Sequence, residues 1–523
     1  MEPLRTAADE DGQTVLTGRA INGLAWTMGG NISNAVLQLF VLAILARALR
    51  PAEFGLVGTA MIVIAFSTIF SRLGIGPAIV QRGHIERRHL AAGFGASIAL
   101  GLLTSAVVWL IAPEAARFFR MPQLTSIIRV LAGLFPINAL AVVPSAMLQR
   151  ELRFRWLANV EVVSHTIGYA LVGVTLALAG WGVWALVAAQ YAQATLEAIV
   201  LLRLRPPVLD EAPRWPALRD LLYFGGGHTV GRIGNYLAHE LDNVVVGRWL
   251  GAEALGLYGR AYSLMAAPAN LLADAIDLVS FPELCRMQSD TASLRGAYRQ
   301  ALALVALAVL PASVILLLLA PELVRVVLGE QWMRLVPIFQ IFAIGMLLRT
   351  SYKLGDALAH ASGAVYQRAW RQGVYAALVL VGSLVGQRWG PAGAAAGVLI
   401  ALTANFGLMA HLCLRLTAMS WTALMRSQFP ALLTSAVLGT VVWTAASLAR
   451  KAAIDPIAVI TSAALAGSVV MLPLLVRYPI AFLGRDGVWL IDLLKRRLRS
   501  TGRDPSVTPP MAITRASAVV SDK

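Results

Sequence analysis

The sequence predicts an all-α polytopic membrane protein of about fourteen transmembrane helices, built as two parallel six-helix repeats plus two C-terminal helices. Three observations predict it: the composition, the lengths of the apolar stretches, and a recurrence at an offset of 201 residues. Of 523 residues, 58% are apolar and 14% charged, against about 25% charged in a soluble domain. A water-facing fold of this length could not cover so much apolar surface. The same numbers exclude a disordered chain and a disulfide scaffold. Cys285 and Cys413 stand alone, outside any metal-ligand or CxxC spacing, and read as free thiols.

A helix crosses the hydrocarbon core in about 20 residues. Stretches of that length lie at 20–46, 54–80, 90–112, 124–147, 157–179, 181–202, 221–247, 257–280, 300–320, 335–359, 366–387, 391–412, 429–449 and 456–476. Before them, residues 1–19 form a polar N-terminal segment without the pattern of a cleaved signal. The first repeat is 20–202, a linker follows at 203–220, and the second repeat is 221–412. The last two spans, within 429–476, carry no charge and read as lipid-facing. Residues 477–499 pair apolar Val488, Leu490, Ile491 and Leu494 with basic Lys495, Arg496, Arg497 and Arg499, an interfacial amphipathic helix on anionic lipid. The tail 500–523 reads as disordered.

The net charge of +16 reads as topology, not as nucleic-acid binding. With the N-terminus inside, and with Arg260, Arg368 and Arg371 at the ends of their spans counted with the adjoining segments, 28 Lys and Arg fall on inner segments and 11 on outer ones. Both termini are therefore expected in the cytoplasm. Trp181, Trp184, Trp249, Trp332 and Trp389 fall near the outer interface, as an aromatic belt would.

The recurrence pairs Arg47, Leu49, Gly55, Leu56, Gly58, Ala60 and Ala65 with Arg248, Leu250, Gly256, Leu257, Gly259, Ala261 and Ala266. Gly30, Ile32 and Asn34 likewise pair with Gly231, Ile233 and Asn235, giving ten identities in 36 ungapped positions. Six spans separate equivalent positions, so the halves face the same way, and a substrate site is expected between them near the midplane.

Ionisable groups inside spans are costly and mark a cavity or each other. The tenth span sets Arg349, Lys353, Asp356 and His360 on one stripe. Its cations are candidates to hold a diphosphate; the plainer alternative is mutual neutralisation of Lys353 and Asp356. The seventh span carries Arg232, Asn235, His239, Asp242 and Asn243 on one face, and the first answers with Asn31, Asn34 and Gln38. Two equivalent polar faces suggest two walls of one cavity; the alternative is interhelical hydrogen bonding. His239 could titrate near neutral pH and couple transport to protons. Asp274 and Asp277 share a face of the eighth span, and Arg72 occupies a near-equivalent place in the second. An ion pair of Arg72 with one of them would make an inner gate; interfacial solvation is the alternative. Glu161 and His165, at i and i+4 in the fifth span, read as a local hydrogen-bonding pair; an ion-coupling pair is the alternative. There is no phosphate-loop lysine motif, no catalytic or metal constellation, no cofactor signature, and no outer loop longer than about fifteen residues to house an enzyme site.

Several segments carry a family resemblance. They are Gly18-Arg-Ala-Ile-Asn-Gly-Leu-Ala-Trp26, Leu45-Ala-Arg-Ala-Leu49 with Phe54-Gly-Leu56, and Gly74-Ile-Gly-Pro-Ala-Ile-Val-Gln-Arg82. To these add Leu148-Gln-Arg-Glu-Leu-Arg-Phe154, Gly180-Trp-Gly-Val-Trp-Ala-Leu-Val187 and Gly247-Arg-Trp-Leu-Gly251 with Gly256-Leu-Tyr258. Over about residues 15–475 the chain resembles Wzx-type polysaccharide transporters, in particular their colanic-acid-exporter-like branch, within the multidrug/oligosaccharidyl-lipid/polysaccharide (MOP) flippase superfamily. The resemblance implies a MATE-like fold and a flippase of the bacterial inner membrane. Its cargo would be a polyprenyl-diphosphate-linked oligosaccharide repeat unit for exopolysaccharide or lipopolysaccharide, moved by alternating access. Membrane lipids, a polysaccharide polymerase and export machinery would be its partners. A lipid II flippase or a cation-coupled multidrug exporter is the alternative within the superfamily. Many relatives have an acid before the Leu-Gly of the second span; here Ser71-Arg72 stands there, so no role of that acid carries over.

Overall fold

The computed structural model describes residues 35, 37–208, 211, 215–286 and 291–500. Among them every regular element is a helix. The first half runs through α1 (Leu37–Ala48), α2 (Pro51–Arg72), α3 (Ile75–Gln81), α4 (Arg87–Phe119), α5 (Leu124–Ala132) and α6 (Leu134–Arg150). It continues through α7 (Phe154–His165), a π-helical stretch (Thr166–Gly173), α8 (Val174–Leu178) and α9 (Val183–Leu204). The second half opens with α10 (Trp215–Arg286) and α11 (Thr291–Leu318). Short α12 (Ala320–Val327) and a 3₁₀ turn (Glu330–Leu335) lead to α13 (Val336–Ala361), α14 (Val365–Gly386) and α15 (Gly390–Thr417). α16 (Trp421–Lys451), α17 (Pro456–Arg477) and α18 (Pro479–Ser500) complete the chain.

Ten described stretches are long and apolar enough to cross a membrane, and one of them, Tyr366–Thr417, contains both α14 and α15. The protein is thus a multi-pass membrane protein. Two expected spans, the seventh and eighth, form the single long element α10, broken only at Gly251 (φ 88°). Gly251 stands 201 residues after Arg50, where the chain breaks between α1 and α2. The fourth expected span is likewise two helices, α5 and α6, meeting at Gly133. The fifth passes through the π-helical stretch, which widens the turn around Tyr169.

Inside a membrane, lipid tails are as apolar as leucine, so helices associate through close packing and hydrogen bonds. The chain shows this at two glycine seams. In the α14–α15 hairpin, Gly382 lies on Gly397 and Gly386 on Gly393, two facing Gly-xxx-Gly pairs. Between the halves, α2 packs on α10. There a Cβ on Gly55 would strike the carbonyl of Ala252, and one on Gly256 would strike that of Pro51. Both contacts obey the offset of 201, since Gly55 maps to Gly256 and Pro51 to Ala252. The main core gathers at this end, with Trp332, Tyr258, Phe135 and Phe339 fully buried.

The last helices pack on the outside of the second half, α16 against α11 and α17 against α12. Ion pairs fix them at both ends. Arg450 grips Glu322 of α12 through two bonds (2.7 and 2.8 Å), and Arg299 of α11 grips Asp486 of α18 (2.7 and 2.9 Å). The expected amphipathic segment is thus part of α18, docked on α11 and α16 and kinked at Gly484. The expected N-terminal segment 1–19 and the tail beyond Ser500 lie outside the described residues.

Candidate functional site: a cavity between the halves

Two cavities lie between the halves, of about 750 and 470 Å³. Met61, Tyr169 and Gln190 line both, so they are compartments of one space. The larger is lined by α1 and α2 (Gln38, Leu42, Leu45, Phe54), by Glu161, His165 and Tyr169, and by Arg260, Ser263 and Asn270 of α10. The smaller is lined by Arg72 of α2, Asn138 of α6, Gln193 and Glu197 of α9, and Arg232, Asn235, His239 and Glu240 of α10. Three arginines and three glutamates therefore line the described space.

Arg260 is the cation at the closed end. Its guanidinium lies 4.5 Å from the centroid of Phe54. No described carboxylate is within ion-pairing distance of it. A guanidinium stacked on one face keeps its edge donors for a carboxylate or phosphate in the cavity. Sequence reading grouped Arg260 with the outer segment after the seventh span, because a boundary uncertain by a few residues decides which side it falls on. The repeat offers a retrospective signal: Arg260 lies between the matched positions Gly259 and Ala261.

Of the predicted site residues, Gln38, Arg72, Arg232, Asn235 and His239 line the space. Asn31 and Asn34 lie outside the described residues, as do the side chains of Asp274 and Asp277. The proposed pair of Arg72 with those acids is therefore not part of the described geometry; Arg72 shares its compartment with Glu197 and Arg232. Asp242 turns away from the cavity, is buried, and accepts a 2.8 Å hydrogen bond from the Tyr258 hydroxyl. Asn243 donates to Glu240 at 2.8 Å. The α13 stripe divides among neighbours. Arg349 lies 4.7 Å from the Tyr262 ring centroid, and Lys353 donates to Asn270 at 3.1 Å on the cavity rim. Asp356 is gripped by Arg368 of α14, through Nε and one terminal nitrogen. His360 is exposed. Arg129 stacks on Trp109 at 4.3 Å.

Trp332 corrects one expectation. Trp181, Trp184, Trp249 and Trp389 are exposed as a belt requires, but Trp332 is fully buried. Its indole N–H donates to the Ala46 carbonyl at 2.8 Å, and Gln331 donates to the same carbonyl (2.5 Å) and to that of Leu49 (3.2 Å). In return Arg47 donates to the carbonyl of Val326 at 2.5 Å. The last carbonyls of a helix lack intrahelical partners. Here each half supplies side-chain donors to a helix end of the other. These bonds and the glycine seam close the cavity at this membrane face.

Among the described residues no cluster of His, Cys, Asp and Glu could hold a metal. Cys413 is a buried free thiol, and Cys285 has no described side chain.

The polysaccharide biosynthesis protein family matches residues 44–337. The teichuronic acid biosynthesis protein TuaB of Bacillus subtilis is 25% identical over 390 residues, 72% of this chain and 79% of its own. The lipopolysaccharide biosynthesis protein WzxC of Escherichia coli is 27% identical over 342 residues, 64% of this chain and 68% of its own. Among solved structures, the lipid II flippase MurJ in an inward closed conformation superposes with a TM-score of 0.67 at 13% identity, covering 85% of this chain and 98% of MurJ. An inward-facing MATE-family multidrug resistance transporter of the MOP superfamily gives 0.59 at 16% identity, covering 75% and 99%. The fold is therefore that of MOP-type polytopic transporters, and the chain, matched over more than half its length, belongs to the polysaccharide biosynthesis protein family.

Proposed function

We propose that this protein is a flippase that carries a polyprenyl-diphosphate-linked oligosaccharide repeat unit across the bacterial inner membrane by alternating access, for exopolysaccharide or lipopolysaccharide assembly. The observation that carries the reading is Arg260 without a carboxylate partner at the closed end of a cavity between two like halves. The relatives' names, in teichuronic acid and lipopolysaccharide biosynthesis, support the cargo class. Both termini are cytoplasmic, so the sealed face is periplasmic and the cavity loads from inside. The two repeats 20–202 and 221–412 are the moving bodies, and the fourteen-span count belongs to this reading.

Arg72 and Arg232 meet the anionic headgroup first. Arg260 then takes the diphosphate, since charge-assisted bonds to a guanidinium are the strong ones. Gln38 and Asn235, with Asn31 and Asn34, offer amides to sugar hydroxyls, and Lys353 and Arg349 stand at the second wall. His239 and an inter-lobe contact of Asp274 or Asp277 are the candidates for ion coupling and gating; Asp242 and Asp356 hold their own half together. Glutamates do not outnumber arginines in the described lining, which favours an anionic cargo over a cationic drug. The chemistry is transport, with no bond made or broken.

The test is lipid analysis by mass spectrometry in cells lacking the gene and complemented with variants. Loss of the protein should accumulate the polyprenyl-diphosphate oligosaccharide on the inner leaflet and abolish surface glycan. Arg260→Gln should lower surface glycan about tenfold or more, one charge-assisted hydrogen bond being worth about 1.5–3 kcal/mol. Arg260→Lys should recover part of it. Unchanged lipid intermediates and normal glycan in the deletion would sink the reading.

A further inference from the structure

The closed end of the cavity contains a continuous stack. Arg260 lies on one side of the Phe54 ring at 4.5 Å. Phe54 meets Trp332 edge-on, centroids 5.5 Å apart and planes at 68°. Trp332 in turn donates to Ala46, the last turn of α1. Four residues thus run from the cavity-lining cation Arg260 to the bond at the closed end. Phe54 is 4% exposed and Trp332 not at all. The Trp332 indole has a single donor, and Ala46 is its acceptor.

We propose that Phe54 and Trp332 are positioning residues of the transport cycle, which couple anion binding at Arg260 to opening of the outer face. The proposal rests on the reading of Arg260 as the diphosphate ligand. A ring face attracts a guanidinium through its quadrupole. An anion that draws Arg260 off Phe54 removes that attraction and frees the ring to tilt. Phe54 is then no longer held against Trp332, and the indole loses the support that aims its N–H at Ala46. When the indole leaves, the Ala46 carbonyl still accepts from Gln331, so no buried acceptor is orphaned. Opening is therefore inexpensive once the stack is disturbed, while the resting protein remains shut. The stack gives a ligand a differential contact between the two states, without which no ligand shifts an equilibrium.

The test uses the full chain with Cys285→Ser, Cys413→Ala and Leu45→Cys, in right-side-out membrane vesicles. Leu45 lines the cavity beneath the closure and is 3% exposed, so an impermeant maleimide added outside labels it only when the outer face opens. Trp332→Phe keeps the ring and removes the donor. It should raise labelling without any ligand, by up to about tenfold. Farnesyl diphosphate loaded in the lumen should accelerate labelling of the parent. Phe54→Leu should bind the probe yet lose the acceleration, and Phe54→Tyr should restore it. Labelling of Trp332→Phe at the parental rate overturns the proposal, as does a full response in Phe54→Leu. If the parent fails to bind farnesyl diphosphate, the substrate reading falls and takes the coupling with it. Binding without acceleration sinks the coupling alone.

Discussion

The two corners of the inter-lobe seam at the closed end of the cavity are equivalent under the repeat, yet they are built from different chemistry. At one corner the segment after α11 caps α1 through Gln331, Trp332 and the reciprocal Arg47, with directional hydrogen bonds. At the other the end of α4 covers α10 with rings. Phe118 faces Arg248 at 5.5 Å, Trp249 flanks the same guanidinium at 5.5 Å, and Phe119 lies against Gly247. One nitrogen of Arg248 is buried without a hydrogen bond. Ring contacts tolerate sliding, whereas hydrogen bonds weaken steeply when misaligned. The first corner can therefore act as a latch and the second as a bearing on which the halves turn.

The sharpest way to break this comparison is at the pivot shared by both corners. Gly55→Val or Gly256→Val places side-chain atoms inside the facing carbonyl. Overpacking of this kind costs about 1–3 kcal/mol, and here backbone must move. Both variants should hold the closed end ajar, with labelling at Leu45→Cys raised about tenfold or more and surface glycan lost. Equal and normal behaviour of either variant would show that the seam opens elsewhere.

A smaller effect is expected at the support of the latch. α12 carries the Val326 acceptor, and its Glu322, 9% exposed, is gripped by Arg450 of α16. Burial alone would raise the Glu322 pKa, but the Arg450 hydrogen bonds, a backbone N–H bond and the charges of Arg450 and Arg325 together outweigh it and hold the carboxyl below its ordinary value. A depressed carboxyl stabilises the fold above its unfolded pKa of about 4.3, and that stability fades as pH falls through the lower folded value. Detergent-solubilised protein should therefore lose thermal stability below about pH 4. Glu322→Gln should cost about 1–2 kcal/mol at pH 7, as a lost charge-assisted hydrogen bond does, and flatten the acid dependence. A Glu322→Gln melt that tracks the parent at both pH values would remove the pair from the latch corner.

The smallest effect belongs to the bearing. Phe118→Leu takes one ring from Arg248, a contact worth about 0.5–1 kcal/mol. Surface glycan should fall by less than about threefold, with resting labelling at Leu45→Cys unchanged. A larger change at this corner than at the latch would reverse the assignment of roles.

The architecture was legible in the sequence because bilayer thickness sets a length that apolar stretches reveal, and because the offset of 201 residues recurs at Gly55 and Gly256, where backbones touch. The site was legible in part. Helical period placed Arg232, Asn235 and His239 together, and they do share one compartment. Period names a face but not the neighbour that meets it. Asp242 belongs to the same broad face and is nonetheless taken by Tyr258, and Asp356 is taken by Arg368 from the next helix. Residue type misplaced Trp332, because a tryptophan at an interface serves equally as a lipid anchor or as a buried donor. Arg260 was hidden by a boundary uncertain by one helical turn.

The crossed contact of Gly55 with Ala252 and of Gly256 with Pro51 also bears on ancestry. A surface that meets its own sequence equivalent around a two-fold axis is self-complementary, the property that defines an isologous dimer. A half-length precursor carrying one copy of Pro51 and Gly55 would have owned both sides of this joint. Two such chains, inserted with the same orientation, could have closed on each other before fusion made the pairing permanent. Only after fusion could the two corners diverge, one gaining hydrogen-bond donors and the other rings. The asymmetry is thus something that a homodimer could not have evolved.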